Sequence, residues 1–397
     1  MKMKYDFILI STADWDNPFW TNKQHIAKRL ADRGHRVLYV DSIGLRRPEV
    51  NKKDLKRITS KLKKYTQGIL KKQENLWVWS PVVIPIHSNE LVRKLNFKIM
   101  ELSLNRFSNK LNFENTVLWI YNPLTQPLVG KLNEKITVYH CVDELSAQPG
   151  MPVKTLKEEE TLLLKKVDIV YATSKSLYDS KKNINAQTFY SPNVADFSHF
   201  NKALSSNLEI PEELKSISGP IIGFIGAISS YKLNFSLIEN IAKKNPDYNF
   251  VFIGQIGEGE PSTNIDQLKD LKNVRFLGAK SYDNLPSYLK RFDVCLLPNN
   301  LNEYTKNMFP MKFFEYLAAG KPVVLTPLEA LKDYYNLCYI GEDAESFSNA
   351  IKRALNENDD KIINKRIQES KKHDWESRID KMLESIDDNI NKKKADK

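Results

Sequence analysis

Tyr5-Asp6-Phe7-Ile8-Leu9-Ile10, then Gln24-His25-Ile26-Ala27-Lys28-Arg29-Leu30 running up to Gly34, then Val37-Leu38-Tyr39-Val40 ending at Asp41, is the stretch that sets the fold. The outer pieces are short unbroken apolar runs, the middle one has helical spacing, and Gly34 suits a helix stop. Strand, helix and strand in that order make one right-handed parallel unit. Further strands are predicted at Leu76 to Trp79, Val117 to Tyr121, Thr137 to Val142 and Asp168 to Thr173. The pattern then restarts, with Pro220 to Ala227 as a strand, Leu237 to Lys244 as a helix and Phe250-Val251-Phe252-Ile253-Gly254 as the next strand. Val274 to Leu277, Val294 to Leu297, Val323 to Thr326 and Cys338-Tyr339-Ile340 continue the alternation. Lys166-Val167-Asp168-Ile169-Val170 is echoed by Arg291-Phe292-Asp293-Val294-Cys295, each closing a helix and launching a strand. Near-continuous apolar strands separated by helices imply α/β domains whose parallel sheets are covered on both faces. Ser191-Pro192-Asn193-Val194-Ala195-Asp196 reads as the linker, giving an N-terminal domain over 1–195 and a C-terminal one over 196–375. The cleft between the carboxyl edges of two such sheets is the default ligand site.

The 397 residues suffice for two cores, and 41% hydrophobic with 27% charged content excludes disordered, collagenous and coiled-coil chains. No apolar run approaches the ~18–20 residues of a membrane-spanning helix. The apolar stretch Phe7 to Ile10 is too short for a signal-peptide core and Asp14 soon follows, so a cytoplasmic location is expected. Cys141, Cys295 and Cys338 are far apart, lack ligand spacing and are read as small buried residues in a reducing compartment.

The net charge of +11 is concentrated. Arg46, Arg47, Lys52, Lys53, Lys56, Arg57, Lys61, Lys63, Lys64, Lys71 and Lys72 face only Glu49 and Asp54, so 46–72 carries +9. Leu55, Ile58, Leu62, Tyr65 and Ile69 step at helical intervals between these cations, the pattern of a helix lying on an anionic membrane surface. Within 90–110, Leu91, Leu95, Ile99 and Leu102, beside Arg93, Lys94 and Lys98, repeat it more weakly. Either helix could instead pack on a core and show solvent a basic face, the reading favoured for the second. No finger spacing or aromatic-interleaved basic motif points to nucleic acid.

The sharpest chemistry lies in Asn307-Met308-Phe309-Pro310-Met311-Lys312-Phe313-Phe314-Glu315-Tyr316-Leu317-Ala318-Ala319-Gly320-Lys321-Pro322-Val323-Val324. Pro310 fits a helix start, Gly320 a stop, and Pro322 forbids continuation. Lys312, Glu315 and Ala319 share one face. A lysine in the first turn adds to a helix N-terminus that already favours phosphate, and a carboxylate one turn deeper can accept ribose hydroxyls, which together suit a nucleoside diphosphate. An ordinary lysine–glutamate pair on an amphipathic helix fits the same residue types.

Arg33-Gly34-His35-Arg36-Val37-Leu38-Tyr39-Val40-Asp41, Tyr139-His140-Cys141-Val142-Asp143-Glu144 and Pro310 to Val324 together resemble the GT-B glycosyltransferases of the family-4 type, and within them those of teichuronic acid and other bacterial surface-polysaccharide biosynthesis. The resemblance spans nearly the whole chain and implies two Rossmann-like domains with an interdomain cleft. It matches Glu315 to the second Glu of a Glu-x7-Glu motif, while Asn307 stands at the first, the position that usually contacts the donor sugar. Relatives carry an Arg where Ala227 stands after Gly226, and a Lys matching Lys232, both on the donor diphosphate. Lys312 then stands in for the missing cation. Met308, Phe309 and Pro310 lead into the phosphate site, and Leu277, Gly278 and Tyr282 fall where relatives hold the base through backbone groups. His140 matches a histidine near the donor hexose in retaining relatives, and it follows the apolar run Ile136 to Tyr139 at a strand's carboxyl end facing the cleft. Alone, such a residue could equally be structural.

Asp143 and Glu144 either bind acceptor hydroxyls or cap the next turn. The loop holding Asp14, Trp15, Asn17 and Trp20 replaces a glycine-rich loop of relatives with residues that suit sugar contacts, and its Asp14-Trp15-Asp16 is a poor match to a metal-binding Asp-x-Asp motif. A helix over about 376–391 is expected to cross back to the N-terminal domain, with 392–397 as a frayed basic tail.

The expected activity is metal-independent, retaining transfer of a sugar from a nucleotide-diphosphate sugar, a UDP-sugar favoured, to a lipid-linked or growing surface polysaccharide. No cofactor or metal is called for, and the place is the inner face of the cell membrane. A nucleotide-sugar epimerase of the same architecture and a non-catalytic carbohydrate-binding subunit are the rivals. Base, sugar, acceptor, linkage and oligomeric state are not written in the sequence.

Overall fold

The computed structural model describes residues 3–17, 20–44, 64–84 and 90–395. The chain divides into two compact units, residues 1–191 with 379–397, and residues 192–378. The linker belongs to the second unit: the Ala195 N–H donates to the His373 carbonyl (3.0 Å), and Asn193 Nδ2 to that of Phe309 (2.6 Å).

The first unit has strands β1 (Asp6–Ile10), β2 (Arg36–Val40), β3 (Leu70–Gln73), β4 (Leu76–Trp79), β5 (Thr116–Ile120), β6 (Ile136–Cys141), β7 (Ile169–Ala172) and β8 (Thr188–Tyr190). They lie in the order β3-β4-β2-β1-β5-β6-β7-β8, parallel except for β3. Ile8 of β1 stands opposite Leu38 of β2 and Leu118 of β5, and all three are fully buried. The second unit has β9 (Ile221–Ile225), β10 (Asn249–Ile253), β11 (Val274–Phe276), β12 (Val294–Leu297), β13 (Val323–Leu325) and β14 (Tyr339–Ile340). Their order is β11-β10-β9-β12-β13-β14, all parallel. Burial on both faces explains the unbroken apolar runs.

Two strands escaped the sequence reading. β3 is mostly polar, with two lysines among its four residues, and forms because Asn75, at φ 61°, turns the chain back onto β4. β8 exposes two of its three side chains and is held by pairing with β7. The basic helical stripe also needs correction. Residues 46–63 lie outside the described residues, but the helical turn at 64–66 ends at Gln67 and Gly68, whose amides reach back to Lys64 and Tyr65. Ile69 therefore lies beyond that turn, and Lys71 and Lys72 lie in β3.

The last helix runs from Trp375 to Ala395, so the frayed tail expected from 392 is helical to 395. Lys393 in its final turn reaches Asp168 at 2.7 Å, a favourable place for a cation. Ile379, Met382, Ile386 and Ile390 are buried, and the Tyr171 hydroxyl donates to the Met382 carbonyl at 3.1 Å. All three cysteines are free, with Cys141 and Cys295 buried and Cys338 partly so. No helix among the described residues is long and apolar enough to cross a membrane.

Candidate functional site

In the second unit the chain reverses direction of build-up at β9, which lies between β10 and β12, so the loops after β9 and β12 flank the crevice where α/β sheets bind ligands. Those loops are stitched together. The Asn300 N–H donates to the Lys232 carbonyl (2.9 Å), Asn300 Nδ2 to Ser230 (2.7 Å) and Asn302 Nδ2 to Tyr231 (2.8 Å). Lys232 is held with its ammonium 5.3 Å from the Tyr231 ring centre and 5.7 Å from that of Tyr304. The Gly226 N–H pairs with the Ile253 carbonyl (2.9 Å), and half-buried Ala227 follows. A Cβ on Gly254 would sit 1.7 Å from the Gly226 oxygen, so only glycine lets these two strand ends come together.

The helix Met311–Ala318 starts at Pro310 (φ −73°, ψ 111°) with no side-chain cap. It is fixed in the unit by Phe313, Phe314, Tyr316 and Leu317, all buried, and by the Ile225 N–H donating to the Tyr316 hydroxyl (2.8 Å) at the end of β9. Lys312 Nζ lies 2.6 Å from Glu315 Oε2 and 5.7 Å from the Phe200 ring centre. Glu315 is only 2% exposed, whereas the Lys312 side chain keeps 23%. A carboxylate so deeply placed requires a partner, and the lysine supplies it.

Around this pair the sequence-predicted residues take different places. Asn307 is buried, with Nδ2 donating to the Glu303 carbonyl (2.8 Å) and to Glu303 Oε1 (3.1 Å). Met308 is half-buried, while Phe309 is a core side chain stacked on Phe314. Tyr282 stacks on His199 at 4.4 Å, and its carbonyl meets His199 Nε2 at 3.0 Å. Burial holds His199 below the usual histidine range, so the ring is neutral at pH 7. The Leu277 N–H donates to Phe252 (2.9 Å) and the Gly278 carbonyl accepts from Gly254 (2.9 Å), so half of each peptide's polar capacity belongs to the fold. Sequence reasoning missed Glu303, His199 and the Asn299-Asn300-Leu301-Asn302 run. The run carried a signal, since asparagines directly after a strand favour loop hydrogen bonds.

In the first unit β1 occupies the corresponding place, between β2 and β5. Its loop is pinned: the Trp15 N–H donates to Asp41 (2.7 Å), Gln24 Nε2 to the Asp14 carbonyl (3.2 Å) and the Asn17 N–H to Asp14 (3.1 Å). Trp15 lies against Trp20 (5.4 Å) and Tyr39 (5.2 Å). Burial, with the nearby charge of Asp14, pushes the Asp41 carboxyl up. Asp16 is bound by Lys64 (2.9 Å) and Lys72 (3.0 Å), which outweigh desolvation and hold its carboxyl below the usual range. Among the described residues no group of three or more His, Cys, Asp or Glu is arranged to hold a metal ion.

His140 lies within β6, not after it, and is fully buried with its ring stacked on Tyr121 (5.0 Å) and against Trp119 and Tyr171 (5.8 Å each). The Lys23 ammonium stands 5.6 Å from the Tyr121 ring centre. Glu144 caps the turn Leu145–Ala147 through the Ser146 amide, as one sequence alternative had it, and Lys181 lies 3.8 Å from it. Asp143 beside it is half-buried.

The chain resembles known proteins in sequence and in fold. Residues 206–374 match the family described as glycosyl transferases group 1. The chain is 29% identical over 268 residues to "Putative teichuronic acid biosynthesis glycosyltransferase TuaH" of Bacillus subtilis (strain 168), covering 63% of this chain and 66% of that one. It is 27% identical over 233 residues to "Putative colanic acid biosynthesis glycosyl transferase WcaI" of Escherichia coli (strain K12), covering 53% and 56%. The matched stretches thus span less than two thirds of both curated relatives. Among solved structures, Anabaena Alr3699/HepE in complex with UDP-glucose superposes with a TM-score of 0.65 at 13% identity, over 96% of this chain and 99% of that one. The chain has the GT-B fold, its residues 206–374 match the glycosyl transferases group 1 family, and it is similar to bacterial surface-polysaccharide glycosyltransferases.

Proposed function

We propose that the protein is a glycosyltransferase that moves a sugar from a nucleotide-diphosphate sugar, a UDP-sugar favoured, to a lipid-linked or growing surface polysaccharide. The observation that carries this reading is the Lys312–Glu315 pair on an uncapped helix N-terminus at the ligand edge of the second unit's sheet. Loss of the nucleoside diphosphate builds negative charge on the leaving oxygen, and catalysis requires that this charge be held more strongly in the transition state than before. Lys312, Lys232 and the helix amides supply cationic and dipolar stabilisation there, so the transfer proceeds without a metal or a separate cofactor. Glu315, released from part of its contact when Lys312 turns to phosphate, accepts the ribose hydroxyls. Asn307 presents an amide where a carboxylate would face the sugar, and Glu303, bonded to it, brings a carboxylate alongside. Retention of anomeric configuration, the acceptor roles of Asp143 and of the loop Asp14 to Trp20, a part for His140 near the hexose, and work at the cytoplasmic face of the membrane belong to the same reading.

Thermal unfolding with UDP, GDP, dTDP and CDP, each with and without chelator, tests it. A ligand at a hundred times its Kd stabilises by about 2.7 kcal/mol. One nucleotide should raise the melting temperature, chelator should leave the shift intact, and Lys312→Ala should abolish it while lowering turnover by roughly 10²–10³-fold. No shift with any nucleotide overturns the reading. An epimerase would alter the donor without acceptor, and a binding subunit would bind without turnover.

A further inference from the structure

The helix Glu90–Lys110 is apolar on two sides. Phe97, Met100 and Leu104 fill the core of the first unit at 8%, 1% and 0% exposure. Leu91, Leu95, Ile99 and Leu102 point the other way, at 76%, 52%, 39% and 59%. These four aliphatic side chains follow helical spacing on one face and extend over about 16 Å of helix. Single exposed apolar residues are unremarkable, but an ordered row of four on a helix whose opposite face already serves the core has a use outside the fold.

Charge says which. Lys94 and Lys98 border the row with side chains 69% and 60% exposed, and exposed Arg106 and Lys110 continue it. Lys94 pairs with Glu90 at 2.7 Å and Lys98 with Glu101 at 2.8 Å, contacts between solvated side chains that hold a lysine only weakly. The helix carries five basic residues against two acidic ones. Aliphatic side chains bordered by lysines and arginines match the two layers of an anionic bilayer surface, acyl chains below and phosphates around.

We propose that Leu91, Leu95, Ile99 and Leu102 dock this helix in the plane of an anionic lipid bilayer, with Lys94, Lys98 and Arg106 on the lipid phosphates. The proposal deepens the membrane setting of the proposed function and rests on that reading for it, but lipid binding is measured without sugar transfer, so the two can fail separately.

Flotation of the full chain with vesicles of phosphatidylglycerol and phosphatidylcholine, against phosphatidylcholine alone, tests it. The wild type should float only with the anionic vesicles and release at high salt. Leu95→Asp with Leu102→Asp should lose binding by at least tenfold. Lys94→Gln with Lys98→Gln, which keeps the apolar row and the fold, should do the same, since each interfacial cation accounts for about fivefold. Leu162→Asp with Ile184→Asp, a charge-matched change at side chains 45% and 41% exposed elsewhere in the unit, should bind like wild type. Wild-type flotation with neither vesicle, or unchanged flotation of both helix variants, overturns the proposal. So does a concentration-dependent dimer that Leu95→Asp with Leu102→Asp dissolves without any vesicle binding, which would make the row a contact between copies.

Discussion

His35 shows how one side chain can set a pH limit. Its Nδ1 accepts the Tyr5 N–H at 3.0 Å and its ring stacks on Tyr5 at 5.8 Å. Burial, reinforced by the positive charges of Lys4 and Arg33, lowers its pKa to about 4. A histidine depressed in the folded state gives stability that is complete above its unfolded pKa near 6.5 and is lost as pH falls towards 4. Stability to urea should therefore decline by up to ~3 kcal/mol over that window, and His35→Asn, which keeps an acceptor for Tyr5, should flatten the decline. Equal slopes for both proteins would show that other groups carry the acid sensitivity. At this scale the sequence was readable where chain neighbours decide the contact. Lys312 and Glu315 are three apart on a helix, so their pairing follows from spacing, whereas Asn307 meeting Glu303 depends on a short helix that apolar periodicity does not reveal.

Among the elements, the helix Asp360–Lys372 rests on an ion pair sealed from solvent. Arg366 is 1% exposed, binds both oxygens of Glu357, donates to the Leu337 carbonyl at 2.8 Å, and shares Glu357 with the Tyr339 hydroxyl at 2.6 Å. Removing one partner strands the other charge, so Arg366→Met should cost roughly 3–5 kcal/mol, whereas Arg366→Met with Glu357→Leu should recover much of it. Chemical unfolding of the two variants measures the difference, and equal losses would mean the pair is not coupled. Strands buried on both faces announced themselves as apolar runs, which is why β1, β5, β9 and β12 were found within one or two residues. β3 was hidden because its cationic side chains belong equally to an amphipathic helix, and the turn at Asn75 outweighs that pattern.

For the molecule as a whole, the first unit is built from the two ends of the described chain. Ile379, Met382, Ile386 and Ile390 are buried, and Asp380 meets Arg33 at 2.7 Å. Deleting residues 379–397 should destabilise the first unit by roughly 6–12 kcal/mol, from four buried aliphatic side chains, while the second keeps its cooperative transition. Calorimetry reads the two transitions separately, and an unchanged first transition would show the segment to be dispensable. The two-sheet plan was legible because the strand–helix grammar occurs twice, but the return of the last helix to the first unit was known only by resemblance, since its residues carry no address in their spacing. This return has a bearing on synthesis. A ribosome delivers 1–191 first, yet the residues that complete that unit emerge only after all of 192–378, so the usual order in which N-terminal domains finish first is inverted. For the whole time that the second unit is being made, the first waits with an apolar surface uncovered, and that nascent interval is when a chaperone has most to do.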